Sequence, residues 1–254
     1  MTFGGSTSVT LQPTRRSRRQ HLCPRVRRHF DGEAVQSEIV VLRAQPAEVV
    51  VAFGDSITEG FGSTPDADLR YPDQLSKLLV VGGTSGRARS VVNAGISGNR
   101  WLHDGLGPDA IGRFARDALE VIGARDVVIM MGINDIGFGA ITESEAVTLE
   151  QLTAVISRAV QQARSAGIRV FLGTLPPFGG CFYFTEGGEK TRAALNAWIL
   201  ASKDVRGVID FDRVLRDPSA PKTLKPSFDS GDQLHPNDAG YAAMAEAVSA
   251  ALQR

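Results

Sequence analysis

Cysteine is nearly missing from this chain. Two thiols in 254 residues, Cys23 and Cys181, exclude a disulfide framework, and neither stands at metal-ligand spacing. The count selects no compartment. Histidine is scarce too: His21, His29, His103 and His235 are the four imidazoles available to any chemistry. No apolar run approaches the roughly 18–20 residues of a membrane span. The formal net charge is zero but unevenly spread. Residues 1–30 carry Arg15, Arg16, Arg18, Arg19, Arg25, Arg27 and Arg28 and no acidic residue, leaving 21 basic against 28 acidic residues in the rest. That acidic remainder is no nucleic-acid binder by charge. The basic stretch TRRSRRQHLCPRVRRHF reads as a leader in preference to an RNA- or membrane-binding arm. An arginine pair is present, but no apolar segment of secretory length follows it. The stretch is acid-poor like a transit peptide, yet lacks a clear amphipathic pattern.

What is present is a core. Hydrophobic residues make up 43% of the chain, enough for one large domain. Five short apolar runs recur: Glu48–Phe53, Ser90–Asn93, Asp126–Met131, Ile168–Thr174 and Gly207–Phe211. Four are rich in Val and Ile without strict alternation, which suits strands buried on both faces. Helical patterns lie between them at Tyr71–Val81, Asp109–Ile122, Ser144–Ala166, Glu189–Ser202 and Asn237–Leu252. Gly167 reads as a helix stop and Asn237 as an N-cap. Strand alternating with helix predicts parallel pairing and an α/β fold, a three-layer α/β/α sandwich on a five-stranded parallel sheet. The domain is expected to run over 46–254, with 1–45 as a basic N-terminal extension.

In such sheets ligands bind beyond the carboxyl ends of the strands. Three strands run into polar, glycine-bearing loops there: Gly54-Asp55-Ser56, then Asn93 to Asn99 (NAGISGN), then Gly132-Ile133-Asn134-Asp135. Each reads either as a turn or as part of a site, and their convergence on one edge favours a site. In VVVAFGDSITEG a buried run stops at a serine, which needs a base before it is nucleophilic. His235 follows Asp232 by three residues, close enough for the carboxylate to fix the imidazole tautomer. The alternative is a loop histidine beside the last helix. His103 has Arg100 where the carboxylate would be and ranks below His235. Candidate oxyanion donors are the Ser56 amide, the Gly98 amide and the Asn134 side chain, the last two also readable as plain turn residues.

Together these residues resemble the SGNH (GDSL) hydrolase family, whose four blocks carry Ser, Gly, Asn and His in this order. The matching stretches are GDSIT with Ser56, NAGISGN with Gly98, GIND with Asn134 and DQLH with Asp232 and His235. The resemblance covers roughly residues 46–254. It implies a flavodoxin-like sandwich, a Ser56 nucleophile, His235 as general base oriented by Asp232, an oxyanion hole of Ser56, Gly98 and Asn134, an acyl-enzyme, and no metal or organic cofactor. NAGISGNRWL, GTLPPF and FDSGDQLHPNDAGY look most like a bacterial arylesterase and carbohydrate acetylesterase branch. TFGGSTSVTLQP looks like a β-rich piece ahead of that domain, but here it runs into the arginine-rich stretch.

The expected substrate is a small-molecule or carbohydrate ester with a short acyl group, acetyl to butyryl, since no broad apolar stretch is available for a long chain. Asp55, Arg100, Trp101, Phe178 and Tyr183 are the candidate substrate-binding residues. Phe182 and Phe184 share the loop LPPFGGCFYFTEGG with Phe178 and Tyr183, and that loop reads either as a pocket wall or as a small apolar cluster. Rival readings are a flavin-binding module, because SITEGFGST follows the first strand where a phosphate would sit, a catalytically inert binding protein on the same fold, and a lysophospholipase or thioesterase of the same family. A magnesium phosphatase is disfavoured by the lone carboxylate after strand one.

Overall fold

The computed structural model describes residues 48–81 and 89–254. The basic extension, Cys23, His21 and His29 lie outside the described residues. Five strands form one sheet: β1 (Glu48–Gly54), β2 (Arg89–Gly95), β3 (Ala124–Met130), β4 (Arg169–Gly173) and β5 (Gly207–Ile209). The order is β2-β1-β3-β4-β5 and every pairing is parallel, as expected. Val50, Val51, Ala52 and Phe53 have no exposed surface, nor do Val127 and Val128. Burial of both faces explains the unbroken Val and Ile runs, each buried valine contributing roughly 1.5–3 kcal/mol.

Helices cover both faces. On one, α2 (Tyr71–Val81) and α7 (Phe211–Leu215) pack against α8 (Asp238–Leu252). On the other, α5 (Leu149–Ser165) packs against α6 (Glu186–Ala201) and touches α3 (Ala110–Phe114), while α4 (Ile133–Ile141) packs against α6. A four-residue helix, α1 (Ser56–Glu59), follows β1 directly.

Several boundaries differ from the sequence reading for local reasons. α5 starts at Leu149, not Ser144, because Thr148 closes a capping box with Gln151, and Glu143–Glu145 form a separate 3-10 turn. The pattern over Asp109–Ile122 is split: α3 widens at Ala115–Leu119 into a π turn, where the Glu120 amide bonds to the Ala115 carbonyl at 2.9 Å. α6 begins at Glu186, three residues early, because the Thr185 hydroxyl caps the Gly188 amide. β5 stops at Ile209 because Asp210 caps α7. Asn237 is the N-cap of α8 as expected, accepting from the Ala239 and Gly240 amides.

The topology sets the site. From β1 the chain crosses to β2 and then returns past β1 to β3. The direction of winding therefore reverses between β1 and β3, and a crevice opens at their carboxyl ends. The three polar loops flank that crevice.

Candidate active site

β1 ends where a side chain has no room: a Cβ on Gly54 would lie 2.1 Å from Thr58 Oγ1 and 2.6 Å from the Met130 carbonyl. Asp55 then caps α1, its Oδ1 accepting from the Ile57 amide at 3.0 Å. Ser56 is the first residue of α1 and is buried. α1 ends at Gly60, whose φ of 105° lies in the left-handed region. The apolar run of β1 therefore stops at a serine on a strand-to-helix turn.

The imidazole arrives from the other end of the chain. Asp229 and Pro236 pair as an antiparallel bridge and close a loop just before α8. Within it, Asp232 Oδ1 accepts from the amides of Leu234 and His235 at 3.0 and 2.8 Å. Its Oδ2 contacts His235 Nδ1 at 2.5 Å, and His235 Nε2 lies 2.8 Å from Ser56 Oγ. A carboxylate only accepts, so Nδ1 carries the proton and Nε2 is left to accept from the serine hydroxyl. Burial pushes the Asp232 carboxyl up, but the His235 amide, its imidazole and the Leu234 amide outweigh this and hold it below the usual value. His235, not His103, is the imidazole bonded to Ser56.

The second loop turns at Ile96–Asn99, the Asn99 amide donating to the Ile96 carbonyl at 3.1 Å, with Gly98 at φ 70°. That conformation favours glycine. The third loop opens α4. Asn134 Nδ2 donates to the Asn99 carbonyl at 3.1 Å, and Tyr183 Oη donates to Asn134 Oδ1 at 3.3 Å. All three loops thus meet, and the second and third are directly bonded.

The structure places all five substrate-binding candidates, Asp55, Arg100, Trp101, Phe178 and Tyr183, in buried positions. Trp101 and Phe178 have 0% exposure and belong to the core, so they line no open surface. Trp101 donates from Nε1 to the Met131 carbonyl and packs near Phe53. Arg100 is held by Glu145 Oε2 and the Asp104 carbonyl, with its guanidinium over the Phe138 ring. Tyr183 is buried and acts on Asn134. Asp55 is buried as well, and its Oδ2 has no hydrogen-bond partner. Burial raises its carboxyl to about 7, against the pull of the Ile57 amide, and the Asp135 carboxyl adds to the rise. Asp135 is likewise raised to about 7 by burial, although the Trp101 amide donates to it. Cys181 is buried, which raises its thiol.

Two residues that sequence reasoning missed, Phe61 and Leu106, lie beside the site, and one aromatic of the LPPFGGCFYFTEGG loop joins them. The Phe61 ring lies 4.5 Å from the His235 ring, centroid to centroid, with 55% of the residue exposed. Leu106, 73% exposed, reaches the Gly98 turn: a Cβ there would lie 2.3 Å from Leu106 Cδ1. Phe182, 74% exposed, sits 4.4 Å from the Tyr183 ring. Phe61 follows the serine block closely, and its proximity was the available signal. Leu106 had none beyond apolarity, whereas Phe182 belongs to the loop already read as a pocket wall or an apolar cluster. Among the described residues no group of three or more His, Cys, Asp and Glu is placed to hold a metal, and no helix is long and apolar enough to cross a membrane.

A parallel sheet with Ser, His and Asp bonded in series at its carboxyl edge has the build of a hydrolase. The chain belongs to the GDSL-like lipase/acylhydrolase family, whose profile matches residues 52–243, and it is a carboxylic ester hydrolase. Similar solved structures include a protein described as lipolytic and of the G-D-S-L family from Desulfitobacterium hafniense, 25% identical over 80% of this chain and 98% of that one, with a TM-score of 0.61. The aryl esterase of M. smegmatis is 18% identical over 82% and 99% of the two chains, with a TM-score of 0.63. A carbohydrate acetylesterase from Sinorhizobium meliloti is 16% identical over 81% and 98%, with a TM-score of 0.61. These last two establish likeness of fold. No curated protein matched the chain in a sequence search.

Proposed function

We propose that this chain hydrolyses short-chain carboxylic esters, acetyl to butyryl, through an acyl-enzyme on Ser56. The observation that carries the reading is the unbroken series from Asp232 Oδ2 to His235 Nδ1 at 2.5 Å and from His235 Nε2 to Ser56 Oγ at 2.8 Å. Ser56 Oγ attacks the ester carbonyl carbon as its proton passes to His235 Nε2. The negative charge on the former carbonyl oxygen is met by the amides of Ser56 and Gly98 and by Asn134 Nδ2, whose second N–H remains after the Asn99 carbonyl takes the first. Collapse expels the alcohol, which takes the proton from His235. Water then attacks the acyl group while His235 accepts its proton, and the acid leaves with Ser56 restored. Asp232 stays ionised throughout and steadies the imidazolium.

Phe61, Leu106 and Phe182 offer apolar surface beside His235, the Gly98 turn and Tyr183. That surface suits a compact apolar or aryl group and favours aryl esters over acetylated carbohydrate. The hydrolytic residues all fall within 46–254, so we assign the activity to that segment alone. Hydrolysis of p-nitrophenyl acetate should fall by at least about a thousandfold in Ser56→Ala, and retained turnover would rule out this mechanism. A series from acetate to laurate, with acetylated xylan alongside, should peak at the short aryl esters.

A further inference from the structure

Arg113 is a buried cation with four acceptors and no place in the steps above. It sits near the end of α3, immediately before the π turn. Its Nε donates to Asn99 Oδ1 at 2.8 Å, Nη1 to the Ala94 carbonyl at 2.8 Å and to Asp117 Oδ2 at 3.2 Å, and Nη2 to the Gly54 carbonyl at 2.9 Å. The guanidinium lies over the Phe53 ring, 4.1 Å from its centroid.

The acceptors are where the site is built. Gly54 is the last residue of β1, two before Ser56. Ala94 is in β2, paired with Phe53, and leads into the turn that carries Gly98. Asn99 follows Gly98, and its carbonyl receives the Asn134 side chain. One planar fork therefore ties the end of β1 to the second loop, just where the β1–β2 ladder runs out, and Asn99 of that loop in turn holds Asn134. Lysine could not do this: its ammonium is a single point with three donors, whereas these acceptors diverge across the guanidinium plane. A guanidinium this deeply buried is costly unless every donor direction is used, and Asp117 supplies the opposing charge.

We propose that Arg113 is a positioning residue that holds the amides of Ser56 and Gly98 and the side chain of Asn134 in register for the developing oxyanion. The inference rests on the acyl-enzyme reading. It predicts a defect specific to the transition state, because the guanidinium touches neither His235 nor Asp232 and would contact no substrate.

The test uses the full chain, with Arg113→Lys, Asn99→Ala and the double variant. The measurements are kcat and KM on p-nitrophenyl acetate, the pH profile of kcat/KM, and inhibition by a small trifluoromethyl ketone, whose serine adduct carries the same oxyanion. Arg113→Lys should lower kcat roughly ten- to a hundredfold with KM within about threefold, as a sub-ångström misplacement of donors would. Ketone affinity should weaken by a similar factor, the acid limb of the pH profile should stay in place, and the double variant should lose less than the product of the single losses. A folded Arg113→Lys with unchanged kcat and ketone affinity would overturn the proposal, and so would a kcat loss accompanied by a displaced acid limb. If Arg113→Lys does not fold, Asn99→Ala decides: it removes the side-chain acceptor but keeps the carbonyl that holds Asn134, and wild-type kcat and ketone affinity in it would equally overturn the proposal. Ser56→Ala run alongside separates the two ideas, since turnover there refutes the acyl-enzyme itself.

Discussion

At the residue scale, the carboxylates around Ser56 do opposite things. Asp232 is held ionised by two amides and an imidazole, so its contribution to stability is present at neutral pH and is lost as pH falls through its lowered value. Replacing it with Asn removes the acceptor that fixes the His235 tautomer. Asp232→Asn should lower kcat by roughly a thousandfold or more with little change in KM, measured on p-nitrophenyl acetate. Asp55 behaves the other way. Its carboxyl is raised from 3.8 to about 7, so the folded chain keeps a proton that the unfolded chain has released. The stability from that proton is full below about pH 4 and is lost as pH rises towards 7. Asp55→Asn keeps the oxygen that caps α1 and removes the titration. Thermal unfolding followed from pH 4 to 8 should show a flatter profile for this variant than for the parent.

At the element scale, the instructive case is α4. The stretch GIND reads as a turn, and Gly137 and Gly139 argue against a helix, yet Ile133–Ile141 is helical. Packing explains the glycine: a Cβ on Gly137 would fall 2.5 Å from the Tyr183 ring, whose hydroxyl bonds to Asn134. Gly137→Ala trades better helix propensity for that clash and should destabilise by about 1–3 kcal/mol in denaturant unfolding. Activity should drop with it, because the Tyr183–Asn134 bond is displaced. Aromatic content alone could not sort the neighbouring loop. Phe178 points into the core and Phe182 points out, and that choice belongs to loop backbone geometry, which no periodicity encodes. The same holds for Trp101, a bulky residue beside a candidate site that turned out to be core. By contrast, the five strands were legible because two-sided burial leaves continuous Val and Ile runs, and GDSIT and DQLH were legible because their chemistry is local. Arg113 was not, since its acceptors come from β1, β2 and a loop that meet only in three dimensions.

At the scale of the whole molecule, the strand order places the serine and the asparagine on either side of the reversal between β1 and β3, and the glycine turn beyond β2. Every residue of that arrangement falls between positions 54 and 235, within the described residues. A chain beginning at residue 46 is therefore expected to hydrolyse p-nitrophenyl acetate within about twofold of the full chain, and EDTA should leave the rate unchanged because every proposed step uses protein groups.

The two partners of the 2.8 Å contact stand 179 positions apart. Bringing two such distant positions together carries a loop-closure cost that the rest of the fold must offset. During synthesis Ser56 leaves the ribosome long before His235, so their contact can form only once that later segment has emerged and docked. Any truncation that removes residues 232–235 therefore takes away the imidazole that Ser56 Oγ contacts, and with it the proposed turnover.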